Sequence, residues 1–213
     1  MDDDPAGWEQ AYRRGFADAT LEPHEDVAWL DDTFTASGVA GILDLGCGDG
    51  RHLAHFARLG YDLTGLDCSP TALRLAAERL GARCQGVRLV LGAMAVLPFA
   101  DGAFDAVVSF QVLNHGRIAD IRRGIAEIGR VLTPGGRLFA VVSIWNESRR
   151  PSGIQGIKLE EATYLLPDGH REAGIPHHFF LEDEFRNEFA AFEVERSYRD
   201  SIGRACLLVR RPG

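Results

Sequence analysis

Residues able to do chemistry concentrate in one turn, Asp44-Leu45-Gly46-Cys47-Gly48-Asp49-Gly50, between an apolar run and a helical pattern. Glycines in such a turn adopt positive φ and let the backbone approach a ligand, while the following helix offers unpaired N–H groups. The spacing is G-x-G-x-G, and Arg51 stands where a dinucleotide turn needs its last glycine. Asp44 and Asp49 would repel a pyrophosphate. The turn therefore favours a ligand that carries a cationic amine or sulfonium.

A further carboxylate, Asp67, ends the next predicted strand, 17 positions after Gly50. A carboxylate at this place accepts both hydroxyls of a ribose, so an adenosine ligand is the simplest occupant. Each acid also has a structural interpretation, Asp44 as a buried group bonded to backbone amides and Asp67 as a cap on the next turn. Their order together with the glycines favours the binding interpretation.

Alternating apolar runs and amphipathic helices position these residues and predict an α/β protein with a parallel sheet covered on both faces. The predicted strands are 42–45, 62–66, 87–91, 106–110 and 138–142, followed by 192–198 and 205–209, which pair antiparallel. Ser69-Pro70 opens a helix that ends at Gly81, and apolar positions at helical spacing predict helices over 118–132 and 181–189.

Composition limits what the 213-residue chain binds. There are 23 Lys and Arg against 31 Asp and Glu, and a net charge of −8 argues against a nucleic-acid partner. No apolar run is long enough for a membrane helix, and the acidic amino terminus is unlike a secretory signal. The four cysteines form no C-x-x-C pair, so we expect no metal site, no disulfide framework and a cytoplasmic location.

Four segments, in this order, resemble the class I S-adenosylmethionine-dependent methyltransferases, specifically the small-molecule group of types 11 and 25. They are Leu43 to Arg51 with the pattern L-D-L-G-C-G-x-G-R, Asp67-Cys68-Ser69-Pro70, Leu97-Pro98-Phe99 followed by Phe104-Asp105, and Val131-Leu132-Thr133-Pro134-Gly135-Gly136. The resemblance extends from about 41 to 142 and weakly to the end. It implies a Rossmann-like, doubly wound, mostly parallel seven-stranded sheet with an antiparallel last strand and the order 3-2-1-4-5-7-6.

The resemblance also implies that S-adenosylmethionine (SAM) is the cofactor and S-adenosylhomocysteine (SAH) its product. The implied cofactor residues lie mostly at the carboxyl ends of strands: Asp44, Gly46, Cys47, Gly48, Gly50, Asp67, Cys68, Ala93, Met94 and Phe110, with Tyr12 from the amino-terminal segment. Asp44 would orient water or the methionine amine, Asp67 would take the ribose hydroxyls, and Met94 would pack on the adenine. Ala93 departs from the family, which often has an acid there to accept the adenine amine.

The predicted organisation is a single domain over 1–213. Residues 1–36 look helical, with Trp8, Tyr12 and Phe16 spaced i, i+4, i+8; they form either a lid over the cofactor or a helix packed on the sheet edge. The irregular stretch 145–176 predicts a substrate cap, in which 164–166 could be one hairpin arm. Either a monomer or a homodimer is compatible with the sequence.

Methyl transfer from a sulfonium requires alignment more than acid–base groups. Two histidines are candidates for acceptor chemistry: His115, otherwise a solvated loop residue, and His177, otherwise a structural hydrogen-bonding group. No third metal ligand appears at suitable spacing from His177-His178. Phe110-Gln111-Val112-Leu113 differs from the N/D-P-P-Y segment of nucleic-acid amino-methylating enzymes. The prediction is methyl transfer to a small molecule; the alternatives are a catalytically silent SAM- or SAH-binding module and a NAD-dependent oxidoreductase.

Overall fold

The computed structural model describes residues 5–17, 22–144 and 156–213. Ten strands are present in this part of the chain: β1 Gly41–Leu45, β2 Asp62–Asp67, β3 Val87–Leu91, β4 Phe104–Phe110, β5 Leu132–Val142, β6 Ile157–Glu160, β7 Thr163–Leu165, β8 Pro176–His178, β9 Glu193–Arg199 and β10 Ala205–Arg210. The helices are α1 Pro5–Arg13, α2 Val27–Ala36, α3 Arg51–Phe56, α4 Pro70–Leu80, α5 Ile118–Val131 and α6 Glu182–Asn187, and a 3₁₀ segment spans Gly81–Gly86.

Seven strands form the central sheet in the order β3-β2-β1-β4-β5-β10-β9. The first five are parallel, and β10 runs antiparallel to both β5 and β9. Numbered within the sheet, this order is 3-2-1-4-5-7-6, so the predicted fold class and strand order are confirmed. The order reverses at β1, which lies between β2 and β4, and ligands bind at such switch points in open α/β sheets.

Side chains alternate across the sheet and form a core on each face. Leu43 and Leu45 belong to the core under α5 and α6, whereas Ile42 belongs to the core under α2 and α3. The α5 stripe of Ile121, Ile125 and Ile128 is buried, as its spacing predicts. No helix in the described part of the chain is long and apolar enough to cross a membrane.

Local signals place the start of α4 correctly. Ser69 precedes Pro70 and its Oγ accepts a hydrogen bond from the Ala72 N–H at 3.1 Å, so the predicted N-cap is confirmed. Gly81 follows the last helical residue with φ +55° and donates its N–H to Ala77. The Ser69 cap fixes where α4 begins after Asp67, at the edge of the sheet that carries the glycine turn, and the Gly81 interaction fixes where the helix ends.

Three boundaries differ from the expectations. The amino-terminal segment is two helices, because 14–17 and 22–26 are non-helical, and residues 18–21 lie outside the described part. β5 begins at Leu132, since the segment 134–136 is absorbed into the strand by a register shift against β4. α6 spans 182–187 and is shorter than the predicted helix.

A second sheet, β6-β7-β8, is built from the described end of the predicted cap; residues 145–155 lie outside the described part. The predicted hairpin arm is β7, which pairs antiparallel with β8 through the 166–175 loop. This sheet docks on the segment after β4. His178 donates its N–H to the Asn114 carbonyl at 2.8 Å, and Gly116 donates to the Pro176 carbonyl at 2.9 Å. The docking brings β8 beside the loop that carries His115.

Candidate functional site

A cavity of about 630 Å³ opens at the carboxyl ends of β1, β2 and β4. Its walls are the glycine turn, the loop after β3, the segment after β4, the amino-terminal aromatic side chains and the 166–179 segment. The volume is in the usual range for a small-molecule site. Predicted residues on the wall are Tyr12, Gly46, Cys47, Gly48, Asp67, Cys68, Ala93, Met94, Phe110, His115 and His177, whereas Asp44 and Gly50 are not on it.

The three glycines of the turn all have positive φ, and a side chain at each would meet a different neighbouring residue. A Cβ on Gly48 would lie 2.6 Å from the Tyr12 hydroxyl, so this glycine leaves room at the cavity wall. A Cβ on Gly50 would lie 2.9 Å from the Ala76 Cβ, so Gly50 permits the close packing of α3 on α4. The geometry of the turn therefore serves both the cavity and the helix packing behind it.

Asp67 is buried at the end of β2 and holds the turn in place. Its Oδ2 accepts the Gly48 N–H at 2.9 Å, and its Oδ1 accepts the Ser69 N–H at 2.9 Å. Burial raises the pKa of this carboxyl. A carboxylate has about four acceptor positions, so both oxygens retain capacity for hydroxyl donors from the cavity. The cap interpretation and the ribose interpretation are therefore compatible.

Charged groups beside the turn have unsatisfied capacity. Asp44 is 1% exposed, and its Oδ2 has no hydrogen-bond partner among the described residues. Burial raises the pKa of Asp44 to about 8. The Arg51 side chain lines the cavity, and within the described ranges it makes no hydrogen bond or ion pair. An orphan carboxyl oxygen and a free guanidinium next to one turn fit a ligand that carries both an ammonium and a carboxylate.

The segment after β4 carries a strained residue on the cavity wall. Gln111 has φ +60°, a conformation that a non-glycine side chain rarely adopts, and it follows the predicted residue Phe110. Ser143 donates its hydroxyl to Gln111 Oε1 at 2.8 Å, and Gln111 Nε2 is buried without a partner in the described structure. The Phe110 ring stacks on His52 with centroids 3.7 Å apart. Strain of this kind clusters at ligand sites.

Two histidines and a glutamate meet at the other end of the cavity. The His177 Nε2 lies 3.0 Å from Glu172 Oε2, and its Nδ1 lies 2.8 Å from the Ile175 carbonyl oxygen. The His115 ring packs on the His177 ring with centroids 4.7 Å apart. Burial lowers the pKa of His115 to about 3, so this imidazole is neutral at pH 7. Burial is the largest single influence and opposes ionisation of Glu172, but the hydrogen bond from His177 and the nearby imidazoles of His177, His115 and His170 together lower the pKa of this carboxyl.

The amino-terminal helix covers this end of the cavity. The Trp8 ring packs edge-on against His115 at a centroid distance of 4.8 Å, and Phe16 packs against Trp8 at 5.3 Å. Arg171 lies 4.2 Å from the Phe16 ring centroid and donates to its carbonyl at 2.6 Å. Glu9 accepts hydrogen bonds from the start of α4 and anchors α1 there. The aromatic stripe predicted from spacing is thus on the cavity wall.

The sequence patterns did not indicate Arg51, Gln111 or Glu172 as site residues. Arg51 was visible as part of the G-C-G-x-G-R segment, where its side chain follows the turn directly. No local signal indicates Gln111, because the residue type does not reveal that its backbone is strained. Glu172 is five residues before His177, and only the loop that precedes β8 turns its side chain toward the histidine.

Comparisons with known proteins agree with this geometry. A family model described as a methyltransferase domain matches residues 43–140. A demethylmenaquinone methyltransferase of Thermobifida fusca is 43% identical over 99 residues, 46% of this chain and 41% of that protein. A protein of Encephalitozoon cuniculi, described as a candidate methyltransferase, is 32% identical over 158 residues, 70% of this chain and 69% of that protein. The chain spans about half the length of the first curated relatives it matches, from 41% to 57%.

A solved structure shows the same architecture with ligand. The SAM-bound amino pentose methyltransferase of Micromonospora echinaspora, involved in calicheamicin biosynthesis, has a TM-score of 0.68 and 27% identity to this chain. The superposition covers 96% of each chain. This coverage extends well beyond residues 43–140, which the family model matches.

Proposed function

Since the chain belongs to the class I SAM-dependent methyltransferases of the type 11 group, we propose that it transfers a methyl group from SAM to a small-molecule acceptor. The observation that carries the proposal is one cavity with two chemically different ends. One end holds the glycine turn with Asp67 and the Arg51 guanidinium, and the other holds the Glu172–His177 pair with His115.

At the turn, the proposed contacts follow from charge and hydrogen-bonding capacity. Arg51 would pair with the methionine carboxylate, and the orphan oxygen of Asp44, which lies behind the cavity wall, would attract the ammonium group through water. Asp67 would accept the ribose hydroxyls while it keeps its bonds to Gly48 and Ser69. Met94 and Ala93 offer an apolar wall for the adenine.

The chemistry of this site demands alignment. When bound, SAM supplies an activated methyl group that moves by in-line displacement, and its sulfur departs with the bonding electron pair. The chain contributes orientation, through the turn and the strained Gln111, and it excludes water, through the aromatic cover of Trp8 and Phe16. His115 and His177 are the proposed contacts to the acceptor.

The coverings of the cavity are part of the proposal. We expect residues 1–36 to act as a lid, with Tyr12 against the turn, and the 145–176 segment to act as the acceptor cap of a single domain. Arg171 on Phe16 joins the described part of the cap to the described part of the lid. A cytoplasmic location and a monomeric or homodimeric state remain predictions.

The names of similar proteins and the residues lining the acceptor end of the cavity both suggest a class of acceptor. The Thermobifida fusca relative is named for demethylmenaquinone, and the Micromonospora structure for an amino pentose. The acceptor end here combines ring faces of Trp8, Phe16 and Phe179 with the polar Glu172–His177 pair. We therefore expect a small organic molecule with an apolar ring and one polar atom that receives the methyl group.

Two measurements test the proposal. Isothermal titration calorimetry with SAH should give a saturable binding isotherm for the wild-type chain. Incubation with methyl-labelled SAM and the small-molecule fraction of a cell extract should then label a compound of low mass, identified by mass spectrometry. The variant His115→Gln should retain SAH binding and lose most of the labelling, because its side chain lies at the acceptor end.

The outcomes separate the alternatives. Binding of SAH without label in any fraction would indicate a silent cofactor-binding module. Label in protein or nucleic acid instead of the small-molecule fraction would contradict the acceptor class. Failure to bind SAH or SAM at millimolar concentration would overturn the proposal as a whole.

A further inference from the structure

The cluster at the acceptor end has the composition of a metal site. His115, Glu172 and His177 each offer one ligand atom, and these atoms all lie within 4.8 Å of one another. They come from three segments of the chain: the loop after β4, the loop before β8 and β8 itself. All three line the cavity, so a fourth partner could approach from inside it.

A hydrogen bond orients the His177 ligand atom as it does in metalloproteins. A backbone carbonyl can only accept, so the His177 Nδ1 donates its hydrogen to the Ile175 carbonyl at 2.8 Å. This bond directs the Nε2 atom toward Glu172. Metal-bound histidines commonly donate their second ring nitrogen to a carbonyl or carboxylate in this way.

One of the three separations between ligand atoms already suits a bound ion. Nitrogen and oxygen ligands of zinc lie about 2.0–2.2 Å from the metal, so neighbouring ligands in a tetrahedron are roughly 3.3 Å apart. The observed distance between His177 Nε2 and Glu172 Oε2 is 3.0 Å. Two imidazoles and one carboxylate form the protein ligand set of several catalytic zinc and non-haem iron sites, which keep open positions for a reactant.

A second group of three potential ligands consists of His24, Asp200 and Cys206. Its carboxylate is already occupied by other hydrogen-bond donors. The Asp200 carboxylate already accepts from the Arg204 side chain, its backbone N–H and the His24 ring. An ion there would have to displace an arginine from a buried carboxylate. His24 and Asp200 are absent from the wall of the large cavity.

We propose that His115, Glu172 and His177 bind one divalent transition-metal ion, of the zinc or ferrous class, with its open positions directed into the cavity. The role in turnover rests on the proposed function. There the ion would hold an acceptor hydroxyl, which loses its proton to solvent; the oxygen forms a bond to the methyl carbon as the carbon–sulfur bond breaks, and the sulfur keeps the electron pair. The metal binding itself does not depend on methyl transfer.

The test is metal binding by the full chain after treatment with a chelator. Zn²⁺ titrated by calorimetry should bind with a stoichiometry of one, and Co²⁺ should produce visible d–d absorption bands. Glu172→Gln and His177→Gln should each weaken Zn²⁺ binding by at least about tenfold and remove the Co²⁺ bands, since each removes one ligand. Circular dichroism melting checks that both variants are folded.

Two control variants make the assignment specific. His55→Gln changes a histidine that pairs with Asp31 away from the cavity, and it should leave the Zn²⁺ affinity unchanged. Cys206→Ser should also bind one Zn²⁺. No Zn²⁺ binding below about 100 µM, unchanged affinity in folded Glu172→Gln, or loss of binding only in Cys206→Ser would each overturn the proposal.

Cofactor binding is measured separately on the same samples. The metal-free wild-type chain should still bind SAH, because the cluster is at the acceptor end of the cavity. Loss of Zn²⁺ binding in Glu172→Gln with normal SAH affinity therefore supports the metal site, whatever the outcome of the labelling experiment.

Discussion

Replacement of Asp67 by asparagine is the sharpest test of the cofactor site. Asn keeps the size of the side chain, but it removes the negative charge and turns one oxygen into an N–H donor. In the structure both oxygens accept backbone N–H groups at 2.9 Å, from Gly48 and Ser69. The amide nitrogen would therefore face one of these donors, and the variant has neither the charge nor the acceptor capacity that a ribose needs.

The magnitude follows from the lost hydrogen bonds. A hydrogen bond to a charged group contributes about 1.5–3 kcal/mol, so loss of two ribose contacts costs roughly 3–6 kcal/mol of binding free energy. At about 1.4 kcal/mol per factor of ten, the dissociation constant for SAH should rise by about two to four orders of magnitude. The unpaired backbone N–H adds about 1–3 kcal/mol of lost stability, or roughly 2–12 °C in melting temperature for a chain of this size.

The assay is calorimetric titration of SAH into wild type, Asp67→Asn and Asp62→Asn. Asp62 begins the same strand, but its side chain is 64% exposed and pairs with Arg88 at 3.3 Å on the surface. An exposed pair contributes little, so this matched control should bind as the wild type does. Asp67→Ala should abolish measurable binding. A threefold change or less in folded Asp67→Asn would refute the ribose assignment.

Four further predictions concern the same end of the cavity. Ala93→Asp supplies an acceptor for the adenine amine and should tighten SAH binding about two- to tenfold in the same calorimetric assay, and weaker binding would mean that adenine lies elsewhere. Arg51→Gln should weaken SAM binding by roughly ten- to a hundredfold and leave the affinity for decarboxylated SAM unchanged; equal losses for both ligands would contradict a carboxylate contact. Burial raises the pKa of Asp44 to about 8, so the free protein holds a proton there that an ammonium ligand must expel. SAM affinity should therefore rise from pH 6 to pH 8, by at most about tenfold per pH unit, and Asp44→Asn should flatten this part of the profile. The raised pKa also means that the stability contributed by the protonated carboxyl is full below its ordinary pKa of 3.8 and is lost as pH rises from there to about 8, so Asp44→Asn should melt higher than wild type at pH 9, as differential scanning fluorimetry would show.

Much of the fold could be predicted because its signals are local. The cap at Ser69, the glycine after α4 and the apolar stripe of α5 depend on neighbours within one or two helical turns. The strands of the parallel sheet are short continuous apolar runs, which place β3 at 87–91 as observed. The predicted boundaries were wrong where pairing between distant segments sets them. At β5, for example, the first residues pair with β4 through a register shift.

The turn, the carboxylate at the end of β2 and the order of alternating elements can all be derived from contiguous residues, because the backbone conformation of each depends on its neighbours in the chain. The contacts of those residues depend instead on how distant segments pack together. Gly50 packs against Ala76 and not against the cavity. Arg51 faces the cavity without a partner among the described residues. Glu172 contacts His177 beside His115, a residue that comes 57 positions before Glu172 in the chain. Such contacts depend on how the second sheet docks on the loop after β4. That docking is set by packing and hydrogen bonds between segments distant in sequence, which no local pattern encodes.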